Sequence, residues 1–109
     1  MRFVVTLDGS NVAAIPPERL GQVLDQMIIP GIEQLAQWEQ EGRVHGGAYT
    51  AGRGGVFMID ADSSEEVDQL VASLPHWPLL KVDVQPLISQ SALRERAQAV
   101  RQGLQERVR

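Results

Sequence analysis

The sequence predicts an α+β domain of ferredoxin-like βαββαβ topology, followed by one additional C-terminal helix. Three observations lead to this prediction. Segments with strand or helix periodicity follow one another in the order strand, helix, strand, strand, helix, strand, helix. A short glycine-rich turn joins the second and third strands, as in a β-hairpin. The first and third strands, which are central in such a sheet, carry apolar residues on both faces.

The first half of the chain predicts one strand and one long, interrupted helix. Arg2–Leu7 alternates loosely and ends at a turn-forming cluster, which indicates a strand. Residues 15–18 contain two prolines and open a helix, whose apolar residues recur at helical spacing to Glu41. Because Pro30 and Gly31 interrupt this run, we expect a helix that is kinked there or is made of two pieces.

The second half of the domain predicts a hairpin and a capped helix. Val44–Thr50 and Val56–Ala61 have strand character and are joined by the turn at residues 51–55. Ser63 and Glu66 form a capping box, in which the hydroxyl and the carboxylate can each satisfy a free backbone N–H. A helical apolar face follows and stops before the next proline.

A strand and a final helix complete the chain. Residues 80–85 alternate between apolar and polar side chains, which predicts a strand with one wet face. The final helix, residues 89–109, carries Leu93, Ala97, Val100 and Leu104 at spacings of four, three and four. We therefore expect a domain at residues 1–88 and a helical extension at residues 89–109.

Charge differs between these two parts. Residues 89–109 hold five arginines and two glutamates, a net charge of +3, so residues 1–88 carry −7 of the total of −4. A basic tail on an acidic body can pair with other copies of the chain. A solvated helix that only keeps the protein soluble is the alternative. Because helices cover only one face of a four-stranded sheet, the apolar outer face also predicts a homodimer packed sheet to sheet.

Composition excludes several classes of function. The chain has 109 residues and no cysteine, which excludes disulfides, a thiolate nucleophile and cysteine-ligated zinc. No apolar run is long enough for a membrane span, and an early carboxylate argues against a signal peptide, so we expect a cytoplasmic protein. Net negative charge argues against nucleic acid as a partner. Two distant histidines with scattered carboxylates indicate no metal site.

His45 and Tyr49 are the candidate catalytic pair. His45 titrates near neutrality and is the best general base; on a helix-facing strand it would look into a cavity, with Tyr49 on the same side. The alternative places one or both on the other face of the sheet, as interface or rim residues. Together they could hold a polar atom of a small ligand.

Three further residues are candidates for ligand binding. His76 and Trp77 lie in a loop between prolines, where pocket mouths often form. The favoured alternative is a tryptophan that plugs the core or an interface and a histidine that is an ordinary loop residue. Arg53, within the glycine-rich turn, could contact an anion, although hairpin turns use glycine routinely.

The segment SSEEVDQLVASLPHWPLLKVDVQPL, residues 63–87, resembles the second half of the muconolactone isomerase family. The shared features are a serine-capped acidic helix, a Leu-Pro pair, an aromatic residue with a proline, and a strand that ends in Val-x-Pro-Leu. The opening strand with Asp8 and the hairpin spacing from Gly42 to Arg53 are also similar. The resemblance covers residues 1–88. It implies a dimeric α/β barrel, larger homo-oligomers, and an isomerase that moves a ring double bond by proton transfer without a metal or organic cofactor.

Two departures from the family pattern bear on function. The middle of the first helix, where the isomerases carry charged residues, reads Met-Ile-Ile-Pro-Gly-Ile at 27–32. The second strand lacks the tryptophan and arginine of the isomerases. Two hypotheses follow: a cofactor-free isomerase acting on a small cyclic or aromatic-derived compound less anionic than muconolactone, or a non-catalytic ligand-binding or structural homo-oligomer. An open pocket lined by His45 and Tyr49 favours the first, and a filled interior favours the second.

Overall fold

The computed structural model describes residues 1–108 and contains one four-stranded antiparallel sheet in the order β2-β3-β1-β4. The strands are β1 (Arg2–Asp8), β2 (Val44–Ala48), β3 (Gly54–Asp60) and β4 (Lys81–Leu87). With its helices, this sheet confirms the predicted ferredoxin-like βαββαβ order. The first and third strands are central, as their two apolar faces indicated.

The long helix of the first half is built in two pieces. A 3-10 turn at Ser10–Ala14 precedes α1 (Pro17–Val23), a π-helical turn (Leu24–Ile28) and α2 (Ile29–Gln40). The Ile29 N–H donates to the Leu24 carbonyl, one residue further back than in an α-helix. Pro30 follows this turn and lies in the first turn of α2, so the π-helical turn directly precedes the residue that lacks an N–H. The irregularity expected at Pro30 lies in the turn before it.

The predicted capping box begins α3 (Ser64–Ala72), with one change of partner. The Ser63 hydroxyl accepts the Glu66 N–H at 3.2 Å. The Glu66 carboxylate accepts the N–H of Asp62 at 3.0 Å, one residue before the serine. Both bonds satisfy backbone donors at the helix start.

The core lies on one face of the sheet, beneath the helices. Period-two alternation in the central strands directs their odd-numbered residues inward, where they meet apolar residues of α2 and α3. Val5 and Val67 are completely buried at the centre of this contact. The buried apolar side chains are Phe3, Val5, Leu7, Trp38, Val44, Phe57, Ile59, Val67, Val71 and Leu74.

The final helix, α4 (Gln90–Val108), projects from the domain. Its 19 residues span about 28 Å, and the molecule measures 69 × 30 × 25 Å. Every described residue of α4 except Ala92 is exposed. Arg109, which the sequence assigned to this helix, lies outside the described residues. None of the helices in residues 1–108 is long and apolar enough to cross a membrane.

Candidate functional site

A cavity of about 420 Å³ separates the helix-covered face of the sheet from the 3-10 turn at Ser10–Ala14, the π-helical turn and α2. Its walls are almost entirely apolar: Leu7, Val44 and Phe57 on the sheet side, and Leu24, Ile28, Ile32 and Leu35 on the helix side. The ionisable side chains that line it, among the described residues, are Glu39, Arg53 and His76. Its volume falls in the range of small-molecule sites. The interior is therefore open rather than filled, but the pocket that the sequence linked to chemistry was one lined by His45 and Tyr49, and neither residue lines this cavity.

Small residues at one end of the sheet account for the open space. The inward-facing positions that follow Val44 in β2 are Gly46 and Ala48, and the position opposite Ala48 in β3 is Gly55. None of them can fill the layer between the sheet and the helices with a bulky side chain. Of the two glycines inside the second strand, Gly46 and Gly47, only Gly46 lies at an inward-facing position, and it was the sequence signal for this space.

His76 is the most unusual residue on the cavity wall. Its side chain is 7% exposed, and its Nδ1 is sealed from solvent without a hydrogen-bond partner. The ring packs against Gly31 of α2, where a β-carbon would overlap it. Burial lowers the pKa of the His76 imidazole below its ordinary value because desolvation penalises the charged form.

A neutral, buried imidazole can exchange a proton with a molecule in the cavity. Nδ1 is the sealed nitrogen of His76, and Nε2 is not sealed in this way. The residue also lines the cavity. A buried polar atom without a partner costs free energy in the folded state, typically about 1–3 kcal/mol. A buried polar atom without a partner, in a residue that lines an open cavity, is often found at a functional site.

Arg53 places a cationic side chain at the same cavity from an exposed loop. Its φ of 63° lies in the left-handed region, which is unusual for a residue with a β-carbon. The loop is held to the sheet because the Arg53 carbonyl accepts the Gly9 N–H at 2.8 Å. An exposed guanidinium at the edge of an apolar cavity can contact a carboxylate of a ligand.

His45 faces away from the cavity, so the expectation that it looks inward is wrong. Val44 is buried opposite Ile59, and alternation along β2 therefore turns His45 to the outer face, opposite Met58. Tyr49 follows β2, is 46% exposed and does not line the cavity. This arrangement is the alternative that the sequence left open.

Of the five predicted site residues, the structure brings Arg53 and His76 to the cavity and leaves His45, Tyr49 and Trp77 outside it. Trp77 is 45% exposed, in the 3-10 turn that follows His76. Sequence reasoning missed Glu39 and the contact of Gly31 with His76. Nothing in the local sequence signals the position of Glu39. For Gly31, the one local signal was a glycine inside a helix, a position that often has a packing reason.

The described residues contain no group of three or more His, Cys, Asp or Glu side chains able to hold a metal ion. A comparison with curated proteins finds no match to this chain. A comparison with protein-family models matches residues 1–92 to muconolactone delta-isomerase. The match covers the whole βαββαβ domain and ends in the first turn of α4. The chain therefore belongs to the muconolactone delta-isomerase family.

Proposed function

We propose that this protein is a cofactor-free isomerase that moves a proton, and with it a double bond, within a small cyclic compound bound in the cavity. The observation that carries the proposal is the open, apolar cavity with a buried, unpartnered histidine in its wall. Membership of the isomerase family supports the reaction class. The substrate is a compact, largely apolar ring compound, such as an unsaturated lactone derived from an aromatic precursor.

His76 replaces His45 as the proposed proton carrier. Nε2 removes a proton from a carbon beside the substrate carbonyl, the electron pair spreads into the conjugated system, and the proton returns to a second carbon. The reaction is balanced because no atom is gained or lost. The surrounding apolar side chains exclude water, and the lowered pKa keeps the imidazole neutral and able to accept a proton.

Arg53 is the proposed contact for an anionic group of the substrate. Other cationic side chains are absent from the cavity lining among the described residues. A dianion would therefore be bound poorly in this apolar space, because an unpaired buried charge is costly. The charge pattern favours a substrate with at most one carboxylate.

A non-catalytic ligand-binding protein is the second candidate. The observation that favours it is the absence of a hydrogen-bond acceptor at His76 Nδ1. Catalytic histidines are commonly oriented by such an acceptor, which also stabilises their protonated form. A protein of this kind would hold the same class of ring compound without changing it.

Turnover of muconolactone, and then of less anionic lactones, distinguishes the two candidates. Ultraviolet absorbance follows the shift of the double bond in wild type, His76→Gln and His45→Gln. We expect turnover that falls at least 100-fold in His76→Gln and persists in His45→Gln, whose side chain lies outside the cavity. Turnover that survives in His76→Gln contradicts the assignment of the base. Ligand binding without turnover in wild type supports the second candidate.

We also propose a homodimer that packs through the outer face of the sheet. This face exposes apolar atoms of Met58 and partly those of Val4 and Val56, with His45 beside them. Light scattering should find no folded monomer at micromolar concentration. A stable monomer would contradict this mode of assembly.

A further inference from the structure

One face of α4 is apolar but has no partner within the described chain. Leu93, Val100 and Leu104 are 50%, 63% and 55% exposed. With Ala97 they form one stripe along the helix, because spacings of four, three and four keep side chains on one face. In proteins, helices gain most of their stability by packing an apolar face.

Charged residues are arranged around this stripe in a regular way. At about 100° per residue, Arg96 and Arg107 border one side of it, and Arg94 and Arg101 border the other. Both glutamates of the helix, Glu95 and Glu106, lie on the opposite face. The stripe with its four arginines, named here the α4 face, therefore fits an apolar surface edged by carboxylates.

The outer side of α2 has the complementary pattern. Ile29 and Ile32 are 44% and 55% exposed, and the exposed carboxylates of Glu33 and Glu39 border them on opposite sides. The continuous helical segment 17–40 carries four acidic residues and one arginine, a net charge of −3. At about 36 Å, it is long enough to receive the whole of α4.

The other exposed helix offers no comparable surface. The exposed residues of α3 are acidic, polar or small, and its apolar residues Val67 and Val71 are buried in the core. An apolar stripe needs apolar area as well as opposite charge to bind. Among the described helices, α2 offers both.

Topology points to a second molecule rather than to the same chain. The extension leaves the sheet from β4, at one edge, whereas α2 packs closest to β2, at the opposite edge. Only Ile88 and Ser89 separate β4 from α4. In the structure α4 projects away from the domain and remains exposed along its length.

We propose that α4 of one protomer packs on the outer side of α2 of a second copy of this chain. The apolar stripe of α4 contacts Ile29 and Ile32, and the arginines that border the stripe lie beside Glu33 and Glu39. The contact is the interface that the extension adds to the family domain, whose match ends at residue 92. Ile32 and Glu39 also line the cavity, so the second copy would cover part of its outer wall. That consequence rests on the proposed function, whereas the contact itself does not.

Because the chain has no cysteine, single cysteines can test the contact directly. Full-length Val100→Cys is mixed with a differently tagged full-length Ile29→Cys and oxidised mildly. The matched control replaces Val100→Cys by Gln102→Cys, on the opposite face of α4. We expect a mixed disulfide dimer from the first pair, at a yield at least ten-fold above that of the control pair.

The charged borders provide a second readout. The yield of the mixed dimer should fall several-fold when the partner with Ile29→Cys also carries Glu33→Lys and Glu39→Lys. The yield should recover when the partner with Val100→Cys carries Arg96→Glu and Arg101→Glu. Raising the salt concentration should lower the yield as well, since exposed charges are screened. This pattern would support the proposed pairing.

Three outcomes would overturn the proposal. Equal mixed-dimer yields from the Val100→Cys and Gln102→Cys pairs would show that the α4 face is not selective. Exclusive formation of Val100 to Val100 dimers would show that α4 pairs with itself. The third outcome has two parts: no mixed dimer forms, and vesicles of anionic lipid float with the wild-type protein but not with Leu104→Glu. That outcome would assign the α4 face to a membrane surface.

Discussion

The substitution Gly31→Ala tests whether His76 is held where the structure places it. A β-carbon at Gly31 would lie 2.6 Å from Cγ of the His76 ring, with Nδ1 and Cε1 closer still. Such separations are far below van der Waals contact, so the ring or α2 has to move. The ring cannot yield easily because the residue is buried and its loop is flanked by Pro75 and Pro78.

The expected cost follows from two opposing effects. Replacing glycine by alanine inside a helix normally stabilises a protein by about 0.5–1 kcal/mol. Forcing a methyl group into a filled space typically costs about 1–3 kcal/mol. The clash outweighs the gain in helix propensity, so Gly31→Ala should be less stable than wild type.

Gly21→Ala is the matched control. Gly21 lies in α1, and a β-carbon there would meet no atom within 4 Å. The control therefore reports the gain in helix propensity alone. The free energy of unfolding should differ between the two variants by about 1–3 kcal/mol, measured by urea denaturation at one protein concentration.

A double substitution isolates the contact. In a His76→Ala background the ring is absent, and Gly31→Ala should then stabilise the protein as Gly21→Ala does. If Gly31→Ala and Gly21→Ala stabilise wild type equally, the ring is not confined by α2. That result would refute the reasoning and remove the basis for a rigid, buried base.

Three further predictions concern stability and are measured by urea denaturation. Burial lowers the pKa of folded His76, so the unfolded protein binds a proton more readily than the folded one. The folded protein is therefore not destabilised by this group above the unfolded pKa of about 6.5, and its free energy of unfolding falls as the pH drops from there toward the folded pKa. The variant His76→Gln should lose this pH dependence, and equal slopes in the two proteins would contradict the effect. Ser63→Ala removes the acceptor of the Glu66 N–H and should cost about 1 kcal/mol, with Ser64→Ala as the control; equal effects of the two substitutions would argue against the cap. Phe3→Ala, at a core position that is 1% exposed, should cost about 3–5 kcal/mol, and a loss below about 1 kcal/mol would mean that the core repacks around it.

The order of strands and helices was predictable because it depends on local physical properties. Alternation of apolar residues, the cap at Ser63 and the proline at the start of α1 act over a few neighbouring residues. Even the central position of β1 and β3 follows from their own sequences, since both faces of each are apolar. The displaced irregularity before Pro30 shows where such reasoning reaches its limit. The sequence located the interruption at Pro30 and Gly31, whereas the structure places it in the preceding π-helical turn, Leu24–Ile28.

The candidate site depended on contacts that no short segment encodes. The face on which His45 lies follows from the register of β2 on β3, and the glycines of β2 give little indication of it. His76 is buried because a glycine 45 positions earlier leaves room for its ring. By itself, therefore, the sequence determined the fold, its family and the presence of two histidines. The tertiary structure alone decided which histidine meets the cavity, because burial and orientation arise from pairing and packing between residues far apart in the chain.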